Sequence, residues 1–244
     1  MDVLRVEKLN KAFKRSFYEK KRQVLFDVDF AIPSQKTTGF VGNNGSGKTT
    51  TIKCLFEFIK KDSGKILFFD QVLSAELKKK IGYLPERPYL YEFLTGMEFL
   101  KFHWQLSQVG NSKDFFAKAH STLKLVGLYE VRDRILRNFS KGMLQRIGLA
   151  QALLHDPEFL ILDEPMSGLD PDGRLMVKDI LKEEQKKGVS IFFSSHLLQD
   201  MEELCQNLVV IHHGRILYHG ELKPFMSRFP TLEEAFRSTR KEVL

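Results

Sequence analysis

Cysteine is nearly absent from these 244 residues: Cys54 and Cys205 are the two present, far apart and outside any CxxC or Cys/His grouping. That excludes a disulfide framework and a zinc cluster, and it fits a reducing cytosol. Long apolar runs are missing too. No stretch approaches the roughly 18 to 20 residues of a membrane-crossing helix. The first ten residues carry Asp2, Arg5, Glu7 and Lys8 where a signal peptide is apolar, so the expectation is a protein neither secreted nor membrane-spanning. Repeats, low-complexity tracts and an interdomain linker are likewise not found.

The apolar fraction of 43% is that of a packed globular chain. The formal charge of +7 admits anionic partners, yet the basic residues are dispersed, with short clusters at Lys20 to Arg22 and Lys78 to Lys80. Solvated surface accounts for that pattern, and no nucleic-acid partner is expected.

Residues 24 to 32 alternate, Val24, Phe26, Val28, Phe30 and Ile32 against Leu25, Asp27, Asp29 and Ala31, which predicts a strand in an N-terminal β region. Residues 37 to 41 read as a second strand and 49 to 59 as a helix bearing Ile52, Leu55, Phe56 and Ile59 on one face. Residues 89 to 154 read as helical, opening on a capping box at Thr95 and Glu98. Residues 159 to 162 and 189 to 193 suit buried parallel strands, with helical composition over 173 to 187 between them. A strand pair at 208 to 211 and 215 to 218 and a helix over 232 to 240 close the chain. Strands alternating with helices predict an α/β class.

Between the strand ending at Val41 and the following helix stands Gly42-Asn43-Asn44-Gly45-Ser46-Gly47-Lys48-Thr49, a full match to the phosphate-binding loop. Its glycines let backbone N–H groups turn toward an anion, Lys48 reaches the outer phosphates, Thr49 ligates Mg²⁺, Thr50 continues the nucleotide-binding stretch, and the helix presents its positive end. Residues 159 to 164, Phe-Leu-Ile-Leu-Asp-Glu, end an apolar strand in two acids. Taken alone that is more often a strand meeting solvent; beside a phosphate loop, Asp163 can hold Mg²⁺ and Glu164 can orient the attacking water.

With these motifs goes a series in fixed order: Phe139-Ser140-Lys141-Gly142-Met143 with Gln145-Arg146, then Ser167-Gly168-Leu169-Asp170, then His196 after an apolar strand. The chain resembles, over nearly its whole length, the nucleotide-binding subunit of an ABC transporter. The resemblance implies a P-loop NTPase core with a parallel sheet, an N-terminal antiparallel β subdomain and a helical subdomain inserted at about 87 to 154, all in one domain spanning 1 to 244 with a C-terminal extension over about 221 to 244. It implies ATP and Mg²⁺ as cofactors. The partners it implies are a membrane permease subunit and a second ABC ATPase chain, either a copy of this one, the favoured reading, or a similar chain, at the cytoplasmic face of the cell membrane.

By the same resemblance, Glu164, His196 and Lys48 are catalytic and Asp170 belongs to the loop after the acidic strand. Ser140, Lys141, Gly142 and Met143 meet the ATP held by the opposite chain, although Ser140 equally suits a simple helix cap. An aromatic ring is expected under the adenine: Phe13 by its place after Leu9-Asn10-Lys11, with Phe17 and Tyr18 in the same stretch. Glu86 stands where the family usually has a metal-contacting glutamine, and Lys141 and Met143 replace glycine and glutamine. These forms, with Leu232-Glu233-Glu234-Ala235-Phe236, resemble a bacterial exporter subgroup. The aromatic stretch over 87 to 104 reads mainly as core, with some rings left to receive a short helix of the permease. A soluble ABC ATPase acting on nucleic acid or ribosomes, a GTPase or kinase, and a non-hydrolysing regulatory subunit are the competing readings.

Overall fold

The computed structural model describes residues 1–14 and 21–241, without the side chains of Ser112, Arg240 and Lys241. Lys20, Phe17 and Tyr18 lie outside them. The elements in chain order are β1 (Asp2–Phe13), β2 (Arg22–Pro33), β3 (Thr37–Val41), α1 (Lys48–Leu55), β4 (Ser63–Phe68), α2 (Ala75–Lys78) and β5 (Ile81–Leu84). Then follow α3 (Gly96–Ser107), α4 (Ser112–Leu125), α5 (Lys141–Leu153), β6 (Phe159–Asp163), α6 (Pro171–Lys186) and β7 (Ser190–Ser194). Last come α7 (Leu198–Leu204), β8 (Asn207–His212), β9 (Arg215–Glu221), α8 (Leu222–Met226) and α9 (Leu232–Lys241). Among the described residues no helix is long and apolar enough to cross a membrane.

Two compact units emerge, one of Met1–Leu73 with Phe192–Leu244, the other of Ser74–Ile191. In the first, β1 pairs antiparallel with both β2 and β4. The same unit holds β3 parallel to β8, and β9 antiparallel to β8. All five residues of β3 are buried, so both its faces must be apolar or small, which explains its continuous run of Thr37, Thr38, Gly39, Phe40 and Val41. Phe30, Phe40 and Phe192 meet there with ring centroids 5.1 to 5.9 Å apart, tying β2, β3 and β7 into one core. In the second unit β5 and β6 pair in parallel, both largely buried, with β6 apolar up to Asp163, and helices α2 to α6 supply the rest. The architecture is therefore α/β, with mixed, mostly parallel strand pairing and an antiparallel β subdomain.

Several sequence expectations change in detail. The alternation expected along β2 breaks at Asp27, whose φ of 43° marks a bulge; Leu25 is buried with Val28, Phe30 and Ile32, while Val24 and Phe26 are only partly covered. The helix expected to reach Ile59 stops at Leu55, because Glu57 takes a left-handed φ of 60° and Phe58 turns outward. The helical reading from Tyr89 fails before Gly96, because the backbone there pairs at a distance. The Glu92 and Leu94 carbonyls accept from Arg137 and Leu136 N–H at 2.9 and 2.8 Å, where a helix would turn them to their own next turn. At Thr95 the expected cap forms, with Thr95 Oγ1 accepting from Glu98 N–H at 3.2 Å and Glu98 Oε2 accepting from Thr95 N–H at 2.8 Å. The helical reading fails again between Leu125 and Lys141, where turns and two single 3-10 turns, Tyr129–Val131 and Leu136–Asn138, replace it after Gly127 takes a left-handed φ of 64°.

Candidate functional site

The phosphate loop joins β3 to α1 inside the first unit. Its form depends on absent side chains: a Cβ at Gly42 would stand 2.4 Å from the Ile211 carbonyl oxygen, and one at Gly47 would stand 2.8 Å from Leu25 Cδ2 at a φ of 113°. We expect Gly47→Ala to cost about 1–3 kcal/mol of stability, read as a lower urea midpoint at unchanged slope, since it strains both backbone and core. The loop is braced by Ser46 N–H donating to the Asn43 carbonyl at 3.0 Å and Gly214 N–H donating to the Ser46 carbonyl at 2.9 Å.

Lys48 is 7% exposed, and its ammonium donates to the Gly42 carbonyl at 2.7 Å and the Asn43 carbonyl at 3.4 Å. These carbonyls orient the ammonium toward the loop, a position suited to holding an anion there. Ser46 Oγ is buried without a hydrogen-bond partner among the described residues, a second group that a phosphate oxygen would satisfy. Thr49 and Thr50 follow, half-buried, on the first turn of α1.

A cleft of about 650 Å³ runs from Gly42, Asn43 and Asn44 to His196. His196 is exposed and stands after β7, where Ser195 Oγ accepts Leu197 N–H at 3.0 Å and fixes the turn into α7. A second cleft of about 740 Å³ connects Gly45 of the loop to Phe13, which is 36% exposed. Lys11 Nζ lies 5.0 Å from the centre of the Phe13 ring, and Asp62 accepts Ala12 N–H at 2.6 Å, anchoring the end of β1. That bond and the neighbouring Lys11 hold the Asp62 carboxyl below the ordinary range, against the opposing effect of burial.

In the second unit β6 ends at Asp163, which is buried, and burial together with the Asp163 charge pushes the Tyr83 phenol up. Glu164 follows at a φ of 53°, a left-handed conformation that costs a non-glycine residue roughly 1 kcal/mol. The strain is held by neighbours: Ser167 N–H donates to the Glu164 carbonyl at 3.0 Å, and buried Gln145 Nε2 donates to the Glu164 and Pro165 carbonyls at 3.2 and 3.4 Å. Gln145 was legible only as part of the Phe139 to Arg146 motif, and its strut to Glu164 could not be read from spacing. Gln145→Leu should lower unfolding free energy by about 1–3 kcal/mol, measured in urea, by taking a buried donor away from these carbonyls.

Ser140 is the N-cap of α5, its Oγ accepting Met143 N–H at 3.2 Å. Lys141 is exposed, its aliphatic stem packed against Gly168, and Gly142 and Met143 are half-buried. Asp170 caps α6 through Gly173 N–H at 3.0 Å. Glu86 is exposed in the loop after β5. Of the aromatic stretch, Phe99 and Trp104 are core, whereas Tyr89 and Phe93 are 96% and 74% exposed.

The sequence-family model described as ABC transporter matches residues 25–167. An uncharacterized ABC transporter ATP-binding protein of Synechocystis is 36% identical over 247 residues, covering 100% of this chain and 70% of that protein. A solved structure of an ATP-binding subunit of an ABC transporter superposes with a TM-score of 0.88 at 28% identity, covering 98% of this chain and 99% of that one. A component of the cbiONQ ABC transporter complex of Clostridium perfringens superposes with a TM-score of 0.78 at 26% identity, covering 98% and 95%. With the phosphate loop, the strained acidic turn and the capped helix α5 already in place, these likenesses settle the family: the chain belongs to the ABC transporters, as an ATP-binding, ATP-hydrolysing subunit of the kind that works with a membrane permease.

Proposed function

We propose that this chain is the motor of an exporter: a pair of copies binds ATP at the cytoplasmic face of the membrane and closes beneath a separate permease. The observation that carries the reading is the cleft shared by the phosphate loop and His196. Gly42, Asn43, Asn44, Gly45, Ser46 and Gly47 cradle the phosphates with their backbone, Lys48 neutralises the outer two, and Phe13 stacks on the base. Glu164 takes the proton of a water that attacks the γ-phosphorus, and the bond to the bridging oxygen breaks to leave ADP and phosphate. His196 holds the γ-phosphate in line.

Thr50 extends the nucleotide-binding stretch, and Thr49, Asp163 and Glu86 carry hard oxygen donors of the kind Mg²⁺ prefers, so each is suited to hold that ion. When bound it would offset negative charge on the phosphates. Ser140, Lys141, Gly142 and Met143 face the nucleotide of the opposite copy, with Asp170 setting the direction of the neighbouring loop. Support for export is the form of the motifs at Glu86, at 140–143 and at 232–236, where Leu232, Ala235 and Phe236 are the buried face of α9. The exposed rings of Tyr89 and Phe93 support docking of a permease helix.

Two measurements test this. His196→Ala should lower kcat for ATP about 10²-fold with little change in nucleotide affinity. Replacing Tyr89 and Phe93 together by alanine should leave ATP hydrolysis by the purified chain intact but release the protein from membranes of its source cell; continued cofractionation with membranes would exclude these rings from docking.

A further inference from the structure

Aromatic stacking accepts every base, so Phe13 alone gives this ATPase no means of telling ATP from GTP. A base edge must be read by a hydrogen-bonding group of fixed polarity. The cleft holding Phe13 is also lined by Gln23, and the polarity of that amide is determined by its surroundings.

The chain of constraints starts at Asp27. Its carboxylate only accepts, so the Asn10 group 2.7 Å away is Nδ2, which also donates to the Lys8 carbonyl at 3.0 Å. Asp27 N–H only donates, and it donates to Asn10 Oδ1 at 3.1 Å. Asn10 is therefore oriented without ambiguity. Its Oδ1 also takes a hydrogen from Gln23 at 2.9 Å, so the Gln23 group there is Nε2, whose other contact is the Leu25 carbonyl at 3.0 Å. Both N–H bonds of the Gln23 amide are spent on these acceptors. Oε1 is what remains for the cleft, and it accepts no hydrogen bond among the described residues.

An acceptor held in place takes a hydrogen from the exocyclic amino group of adenine and meets the O6 acceptor of guanine with repulsion. We propose that Gln23, locked by the Asp27–Asn10 relay, is a base-selecting residue that favours ATP over GTP in this subunit, an assignment that rests on the reading of the Phe13 cleft as the base site. The bulge at Asp27 is what makes the relay possible, because its φ of 43° breaks the strand alternation opposite Asn10.

The test is steady-state hydrolysis of ATP and of GTP by the purified full chain, with kcat and KM separated. The wild type is expected to show a KM for GTP about tenfold above that for ATP, the size of one hydrogen bond's discrimination. Gln23→Leu should bring the two KM values within about twofold by raising that for ATP, and Gln23→Lys, which offers a donor, should favour GTP. Equal KM values in the wild type, or a ratio that Gln23→Leu does not move, would overturn the assignment. Phe13→Ala separates this from the reading beneath it. If that variant leaves both KM values as they were, the base lies elsewhere and both readings fall; if it raises both while Gln23 variants leave the ratio fixed, only the role of Gln23 is wrong.

Discussion

Replacing Glu164 by glutamine is expected to leave ATP binding intact and to slow turnover by about 10³-fold, within the range a positioned general base contributes. Glutamine preserves shape and volume, and the Ser167 N–H bond, the Gln145 strut and the left-handed φ hold position 164 through its backbone, which the substitution leaves in place. The fold around the turn should therefore survive, and the loss should fall on kcat. The amide cannot take a proton from water, so ATP stays whole in the site. Hydrolysis at the wild-type rate would remove Glu164 from its assigned role, whatever the fate of the other residues.

Lys48→Ala should act on the other side of the kinetic scheme. The ammonium is buried and donates to loop carbonyls, and on the proposed reading its removal deletes charge from the phosphate site. A hydrogen bond to a charged group contributes about 1.5–3 kcal/mol, hence roughly a 10- to 100-fold loss of ATP affinity by titration calorimetry. Removing the ammonium also releases the Gly42 and Asn43 carbonyls, and the loop will loosen. Unchanged affinity would show that the phosphates are held without Lys48.

The chemistry was legible in the sequence because it is local. A phosphate loop is eight consecutive residues whose turn needs glycine, and a capping box needs only Thr95 and Glu98 three apart. Asp163 and Glu164 end an apolar run, a pattern that gains meaning only in a chain that also carries the phosphate loop. What could not be read is whatever depends on distant pairing. β4 lies beside β1 across more than fifty residues, and its first three residues are exposed, so its apolar signal is half a strand long. The bulges at Lys8 and Asp27, with φ of 44° and 43°, shift the register between β1 and β2, and that shift alone sets Asn10 against Gln23 and Asp27. The first unit is assembled from the two ends of the chain, which no composition change marks.

The cysteines show the same division between local and tertiary. Cys54 and Cys205 are free and buried, and burial raises both thiols, Cys205 well above its ordinary value. Scarcity was visible in the sequence, but the inertness of these thiols comes from their surroundings.

The most direct measurement is the mass in solution of the Glu164→Gln protein with and without ATP and Mg²⁺. The account predicts a shift from one chain to two on adding the nucleotide, two ATP molecules bound, and return to one chain when ATP is removed. A protein that binds ATP yet remains a single chain at every concentration would contradict the nucleotide-joined pair.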